Sequence, residues 1–213
     1  KRVLAVRDAL PDRYQIVVWL GAGLGLRQGE IFGLSPDDID FDASEVHVRR
    51  QVKLFSSNRQ VFGLPKGRKT RKVPLPDAVA DAITAYMTAH PPVEVTRPWM
   101  TLDGKPTTVS LLLTTREKGA MNRNYFNTYL WRPALERAGV PDLRENGCHA
   151  LRHFFASTAL HEGETIKAVS EYLGHADPGF TLRTYTHLME GSSERTRRAI
   201  DTAFLGEDEE GNE

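Results

Sequence analysis

The stretch "CHALRHFFAS" (148–157) sets His149, Arg152 and His153 on about one turn of a helix whose core-facing side carries Leu151, Phe154 and Phe155. Side chains three and four apart share a helix face, so two imidazoles and a guanidinium meet where a buried helix begins. Three readings compete: a metal pair, an anion-binding site, and ordinary core and surface residues that adjoin. The zinc-hydrolase pattern wants a glutamate directly after the first histidine, and Ala150 stands there. A third ligand would have to come from far away, from His175 or His187, so metal is weakly signalled. His153, beside Phe154, reads most simply as a bystander that caps or fills.

Outward from this helix, the elements run helices, strands, helices. "RVLAVRDAL" and "DRYQIVVWLGAG" read as short helices, the second with Asp12 as its cap, and "LRQGEIFGL" as a third ended by Gly33. "EVHVRRQVKLF" alternates and reads as one strand; "RQVFGL" and "RKVPLP" follow as two more. "PDAVADAITAYMTAH" is an amphipathic helix, and residues 91–120 read as irregular with strand pieces near Trp99 and Val109. Helices are expected again at 122–138, 150–162, 165–173, 178–189 and 192–205. The fold class is α+β: mixed, mainly α, with a small antiparallel sheet. "IVVWLGAGLG" imitates the glycine-rich turn of a dinucleotide site, but the last glycine of that fingerprint is replaced by Leu26 or Gln28, depending on the start.

The chain has 213 residues, of which 40% are apolar and 26% charged, as in a soluble globular protein. No apolar run approaches the roughly 18–20 residues of a membrane span, so no membrane partner is expected. The single Cys148 excludes an intramolecular disulfide framework and fits a reducing cytoplasm. The opening "KRVLAVRDAL" carries no initiator methionine, and the expectation is a piece of a longer protein. Net charge is zero, which argues against a nucleic-acid partner until its distribution is read. The tail "GEDEEGNE" (206–213) holds five carboxylates and reads as disordered, while residues 46–76 hold nine Lys or Arg and no Asp or Glu. That basic stripe fits a solvated hairpin face or a phosphate-binding surface equally well.

The anion reading gains from other segments. Arg27 stands in "GLRQGE" at a helix start, where unpaired amides and a partial positive charge favour phosphate. Lys66 lies in "PKGRKT" within the stripe, His175 in "LGHAD" between two helices, and Tyr185 in "LRTYTHL". Together, "GLRQGE", "PKGRKTRKVPL", "HALRH", "LGHADP" and "RTYTH", in that order, resemble the catalytic domain of the tyrosine recombinase (phage integrase) family from about residue 10 to 190. The resemblance implies catalytic roles for Arg27, Lys66, His149, Arg152, His175 and Tyr185, with Glu30 as acidic support. The step from His175 to Tyr185 is ten residues, where the family often has nine.

The resemblance further implies attack by Tyr185 on a phosphodiester, a 3′-phosphotyrosyl link, and strand exchange that needs no metal, ATP or other cofactor. Arg27 and Arg152 would give bidentate hydrogen bonds to the nonbridging oxygens. Lys66 would protonate the departing 5′-oxygen, and His149 and His175 would add donors or handle the phenolic proton. The partner is double-stranded DNA at attachment sites, with Arg49, Arg50, Lys53, Arg68 and Arg71 as backbone contacts, in a cytoplasmic, nucleoid-associated enzyme. A homo-oligomer on DNA, a tetrameric synapse, is expected, with an accessory directionality factor. Residues 1–205 form one catalytic domain on this reading, and the DNA-clamping N-terminal domain of the family is absent. A type IB topoisomerase, a non-catalytic DNA-binding module and a metal-dependent nuclease stay open beside it.

Overall fold

The computed structural model describes residues 1–55, 58–175 and 177–185, with residues 197, 200 and 202 beyond them. Helices α1 (Arg2–Ala9) and α2 (Asp12–Leu24) open the chain. Pro11 takes the cap position of α2 in extended conformation, and Asp12 is the first helical residue rather than the cap. A carboxylate there still complements the positive helix end. Buried Ile16, Val17, Val18, Leu20 and Leu24 make α2 a central rod, packed on α4 (Asp77–Ala89) and α7 (His149–His161). A helix apolar on most faces is an interior helix, which is why "IVVWLGAGLG" reads like a strand yet coils. Gly25 ends it at φ 63°, a left-handed conformation that glycine takes without a Cβ penalty. A Cβ there would also meet Phe155 at 2.6 Å.

After α3 (Gln28–Phe32) and a 3-10 turn at Pro36–Asp38, the stretch read as one strand proves to be two. Strand β2 (Glu45–Val48) joins β1 (Ile39–Asp40) and β5 (Arg71–Pro74) in a three-stranded antiparallel sheet, with Val46 opposite Val73. Strand β3 (Gln51–Leu54) leaves that sheet to pair with β4 (Gln60–Gly63), Val52 opposite Phe62. The break has a cause at Arg50. Its guanidinium turns inward to grip buried Asp38 at 2.5 and 3.0 Å and donates to the Gly33 carbonyl at 3.2 Å. Residues 91–120 are more regular than their Pro and Thr content suggests. β6 (Val93–Pro98) and β7 (Pro106–Leu111) form a six-residue antiparallel hairpin, built on β-branched Val and Thr.

The segment expected as one helix at 122–138 is α5 (Arg123–Tyr125), a π-helical stretch at Phe126–Trp131 and α6 (Arg132–Arg137). Pro133 brings no amide N–H to that ladder, and the wider turns precede it. Helices α7, α8 (Ile166–Leu173) and α9 (Pro178–Tyr185) follow. The rest of the helix expected to 189, the helix expected at 192–205 and the acidic tail lie outside the described residues, apart from 197, 200 and 202, which are helical. The architecture is thus α+β, helical with small antiparallel sheets. Among the described residues no helix is long and apolar enough to cross a membrane.

Two apolar clusters hold this together. The larger runs from Val6 to Leu151; the smaller joins Ala156, Leu160, Val169, Leu173 and Tyr185 across α7, α8 and α9. Phe155 packs against both. Helix α7 therefore starts in one core and ends in the other, and Arg152 sits at the crossing.

Candidate active site

The C-terminal end of α8 collects the site's arginines. A helix end leaves its last carbonyls without intrahelical partners and carries partial negative charge. Here the Tyr172 carbonyl accepts from Arg71 Nε at 2.5 Å, the Leu173 carbonyl from Arg152 Nη2, and the Gly174 carbonyl from Arg27 Nη2 at 3.4 Å. Gly174 closes the helix at φ 62°, and His175 follows, its backbone N–H bonded to the Ser170 carbonyl. Three cations, from the cap of α3, from β5 and from α7, thus share one helix terminus, and that terminus offsets part of their mutual repulsion.

Glu30 supplies the rest. Its carboxylate is 1% exposed and accepts from Arg71 at 2.9 and 2.7 Å, and from Arg27 through the guanidinium at 3.1 Å and the backbone N–H at 2.9 Å. Burial by itself pushes this carboxyl up, but the hydrogen bonds and charge of Arg71, then Arg27, outweigh it and hold the group below its ordinary value. Arg152 is 2% exposed and held by the Gly25 carbonyl at 2.7 Å, the Leu173 carbonyl and His175 Nε2 at 3.1 Å. Burial, then the charge of Arg27, pulls its guanidinium down to about 9, so it stays cationic at neutral pH.

Arg27, Lys66, His149, Arg152 and His175 line one cavity of about 540 Å³. Lys66 projects from the exposed turn between β4 and β5, where Gly67 and Arg68 are both left-handed. His149 is brought down to about 4 by burial, then by the neighbouring His153, Arg152, Arg27 and Lys66. His175 is also brought to about 4, by burial, then by Arg152, Arg27 and Arg71. Both imidazoles are therefore neutral at neutral pH. An arginine has no acceptor, so His175 Nε2 must accept from Arg152, which leaves Nδ1 carrying the proton that it gives to Thr181 Oγ1 at 2.7 Å. His175 acts on this site through the guanidinium it orients. The cleft is lined by cations that are already held in place by hydrogen bonds.

Tyr185 does not line that cavity. It is 5% exposed, seated in the smaller core, and its hydroxyl lies 2.7 Å from His153 Nδ1. His153, read from the sequence as the bystander of its motif, is the residue that the Tyr185 hydroxyl meets. The only local signal was its place four residues after His149, whose ring it meets edge-on at 4.8 Å. Among the described residues no three His, Cys, Asp or Glu side chains gather as metal ligands would.

The basic stripe divides. Arg68 is exposed, and Arg49 is half-exposed beside Asp38 and His47. Lys53 lines a second cavity of about 480 Å³ that shares Arg27 and His149 with the first and also takes in Arg123, which charge patterning passed over. Two of the expected backbone contacts sit further inside the fold. Arg71 is not an open surface cation: its side chain is 7% exposed and both its edges are spent on Glu30 and Tyr172. Arg50 is spent on Asp38 and Gly33 in the same way. Inside a protein, an unpaired charge is costly, and each of these arginines has found its carboxylate.

Comparison with known proteins follows the same lines. The phage integrase family matches residues 2–191. A protein named tyrosine recombinase XerC-like from Caldanaerobacter subterraneus subsp. tengcongensis is 28% identical over 225 aligned residues, covering 96% of this chain and 54% of that one. Tyrosine recombinase XerA of Thermococcus kodakarensis is 31% identical, covering 96% of this chain and 60% of that one. The chain thus spans between half and two thirds of the length of these curated relatives. Among solved structures, the Tn1549 transposon integrase in complex with a circular intermediate DNA superposes with a TM-score of 0.69 at 21% identity, covering 87% of this chain and 58% of that one.

Proposed function

This chain belongs to the phage integrase family, and from that premise we propose that it is the catalytic domain of a site-specific recombinase that cleaves and rejoins DNA through a 3′-phosphotyrosyl link. One observation carries the reading: Arg27, Lys66, His149, Arg152 and His175 converge on a single cleft, and the Tyr185 hydroxyl meets His153 on the same turn of α7 as His149 and Arg152. The scissile phosphate enters that cleft. Charge that grows on its nonbridging oxygens during attack meets Arg27 and Arg152, already fixed by carbonyls and Glu30, so little reorganisation is needed at the moment of reaction. Lys66, on its exposed turn, gives the proton to the departing 5′-oxygen. The phosphotyrosyl bond keeps the energy of the bond that was broken, and a 5′-hydroxyl from a second duplex reverses the step on a new strand. Exchange between two duplexes calls for several copies on DNA, so a tetrameric synapse belongs to this proposal, as does an accessory directionality factor. DNA held by Arg49, Lys53, Arg68 and Arg123 would bind with steep salt dependence and little sequence choice.

Arg152→Lys will slow adduct formation by about 10²–10³, the effect of losing one preorganised donor to a developing oxyanion. An ammonium is a compact charge and cannot reach the Gly25 carbonyl, the Leu173 carbonyl and His175 together. Single-turnover rates would show this; a rate within a few-fold of the parent would remove Arg152 from the transition state.

The deciding experiment is covalent trapping. The protein is incubated in EDTA with nicked duplexes tiled across the DNA that flanks its own gene, and SDS-resistant species are digested and mapped. The expected product carries a nucleotide on Tyr185 and passes its strand to an added 5′-hydroxyl duplex. Adducts confined to swivelling of one supercoiled duplex, with no transfer between duplexes, would turn the reading to a type IB topoisomerase. Absence of any adduct, with DNA binding intact, would leave a non-catalytic DNA-binding module.

A further inference from the structure

The geometry points to His153 as the group that accepts the phenolic proton of Tyr185 when that oxygen attacks phosphorus. This deepens the recombinase reading and rests on it. The phenol oxygen lies 2.7 Å from His153 Nδ1, with the two rings 5.7 Å apart at 54°. Tyr185 is buried and His153 exposed, so the imidazole is a base with access to water placed on a nucleophile without it.

The other imidazoles are differently engaged. His175 has both ring nitrogens committed, to Arg152 and to Thr181. His149 faces the cleft and meets His153 only ring edge to ring face. Lys66 also lines the cleft. Acid and base are thereby separated, Lys66 in the lining of the cleft and His153 outside it.

Among the described residues, the charged and titratable groups around His153 are Arg152 and His149 on α7 and Tyr185 on α9. Burial, then the Arg152 charge, holds His153 below its ordinary value, so it is neutral and able to accept at neutral pH. Burial pushes the Tyr185 phenol up, opposed by Arg152, and the net effect is upward. The phenolate is therefore not preformed, and its proton must leave during attack.

The step balances. With its own proton on Nε2, His153 uses the Nδ1 lone pair to take the Oη proton. The Oη–phosphorus bond forms as the phosphorus–O5′ bond breaks, and O5′ takes a proton from Lys66 Nζ. The site then holds an imidazolium and a neutral amine, and rejoining runs both transfers backward.

The test uses the full protein, nicked duplexes from its own flanking DNA, and single-turnover adduct formation from acid to neutral pH. His153→Asn keeps a polar side chain on an exposed helix position but cannot carry the proton; His153→Ala serves as a second variant. We expect the parent to lose rate on the acid side, as His153 becomes protonated. Both variants should be about 10²–10⁴-fold slower, the usual worth of a positioned base, and lack that acid limb. A 5′-bridging phosphorothiolate, whose leaving thiolate needs no proton, should rescue Lys66→Ala and not His153→Asn. His153→Asn with the parent's rate and acid limb, or its rescue by the phosphorothiolate, would overturn this inference alone. Failure of the parent itself to form an adduct would overturn the recombinase reading, and this assignment with it.

Discussion

Tyr185→Phe will abolish the SDS-resistant adduct while leaving the fold and non-covalent DNA binding intact. The substitution deletes one oxygen. The ring keeps its place among Ala156, Leu160, Val169 and Leu173 in the smaller core, and the hydrogen bond it loses ends on an exposed imidazole that water can serve instead. A single such bond contributes about 1 kcal/mol, so the thermal midpoint should move little. Burial pushes the Cys148 thiol up to about 12, leaving it protonated at neutral pH. Binding depends on cations that Phe does not touch, so an anisotropy titration against salt should give the parent's slope. The informative comparison is therefore binding unchanged and adduct absent. An adduct that persists in the Phe variant would move the nucleophile elsewhere in the chain.

The parts of this protein that were legible in its sequence are those fixed by local pattern. Helices α4, α7 and α8 fall within a residue or so of where periodicity and caps place them, because an apolar stripe with a stop signal is a local property. The motifs that carry Arg27, Lys66, His149, Arg152 and His175 led to the cleft for the same reason: each is a short run readable without its distant partners. What stayed hidden is set by distant partners. Arg71 reads as one more cation in a basic stripe, yet its carboxylate is Glu30, 41 residues away, and a charge stripe carries no information on which members turn inward. Arg50 divides the alternating run at 45–55 because Asp38 waits inside the fold. His153 looks like filler beside Phe154 until α9 returns Tyr185 to it across 32 residues. Placement was readable where motif and cleft coincide, and unreadable where a side chain's partner comes from another element.

Glu30→Gln will destabilise the protein by about 3–5 kcal/mol, the cost of breaking a buried pair by removing one partner. The amide has the size of the carboxylate but not its charge, and Arg71, 7% exposed, would be left as a cation without a counter-ion. The pH dependence distinguishes this cause from a packing defect. The carboxyl is held below its ordinary value in the folded state, so its contribution to stability is present above the unfolded value and lost as pH falls through the folded one. The gap between parent and variant in urea midpoint should accordingly be widest at neutral pH and narrow in acid. A gap independent of pH would mean that the amide simply fits badly. Pairing Glu30→Gln with Arg71→Met should recover part of the loss, because an apolar residue of similar length needs no counter-ion. Catalysis should not recover with stability. Arg27 gives its backbone N–H and one guanidinium hydrogen bond to the same carboxylate, and with a neutral amide in its place the guanidinium keeps the Gly174 carbonyl but loses the charge that fixes its aim. A double variant that is stable but still slow to form the adduct would separate the two tasks of Glu30, cancelling charge in the interior and aiming it at the phosphate.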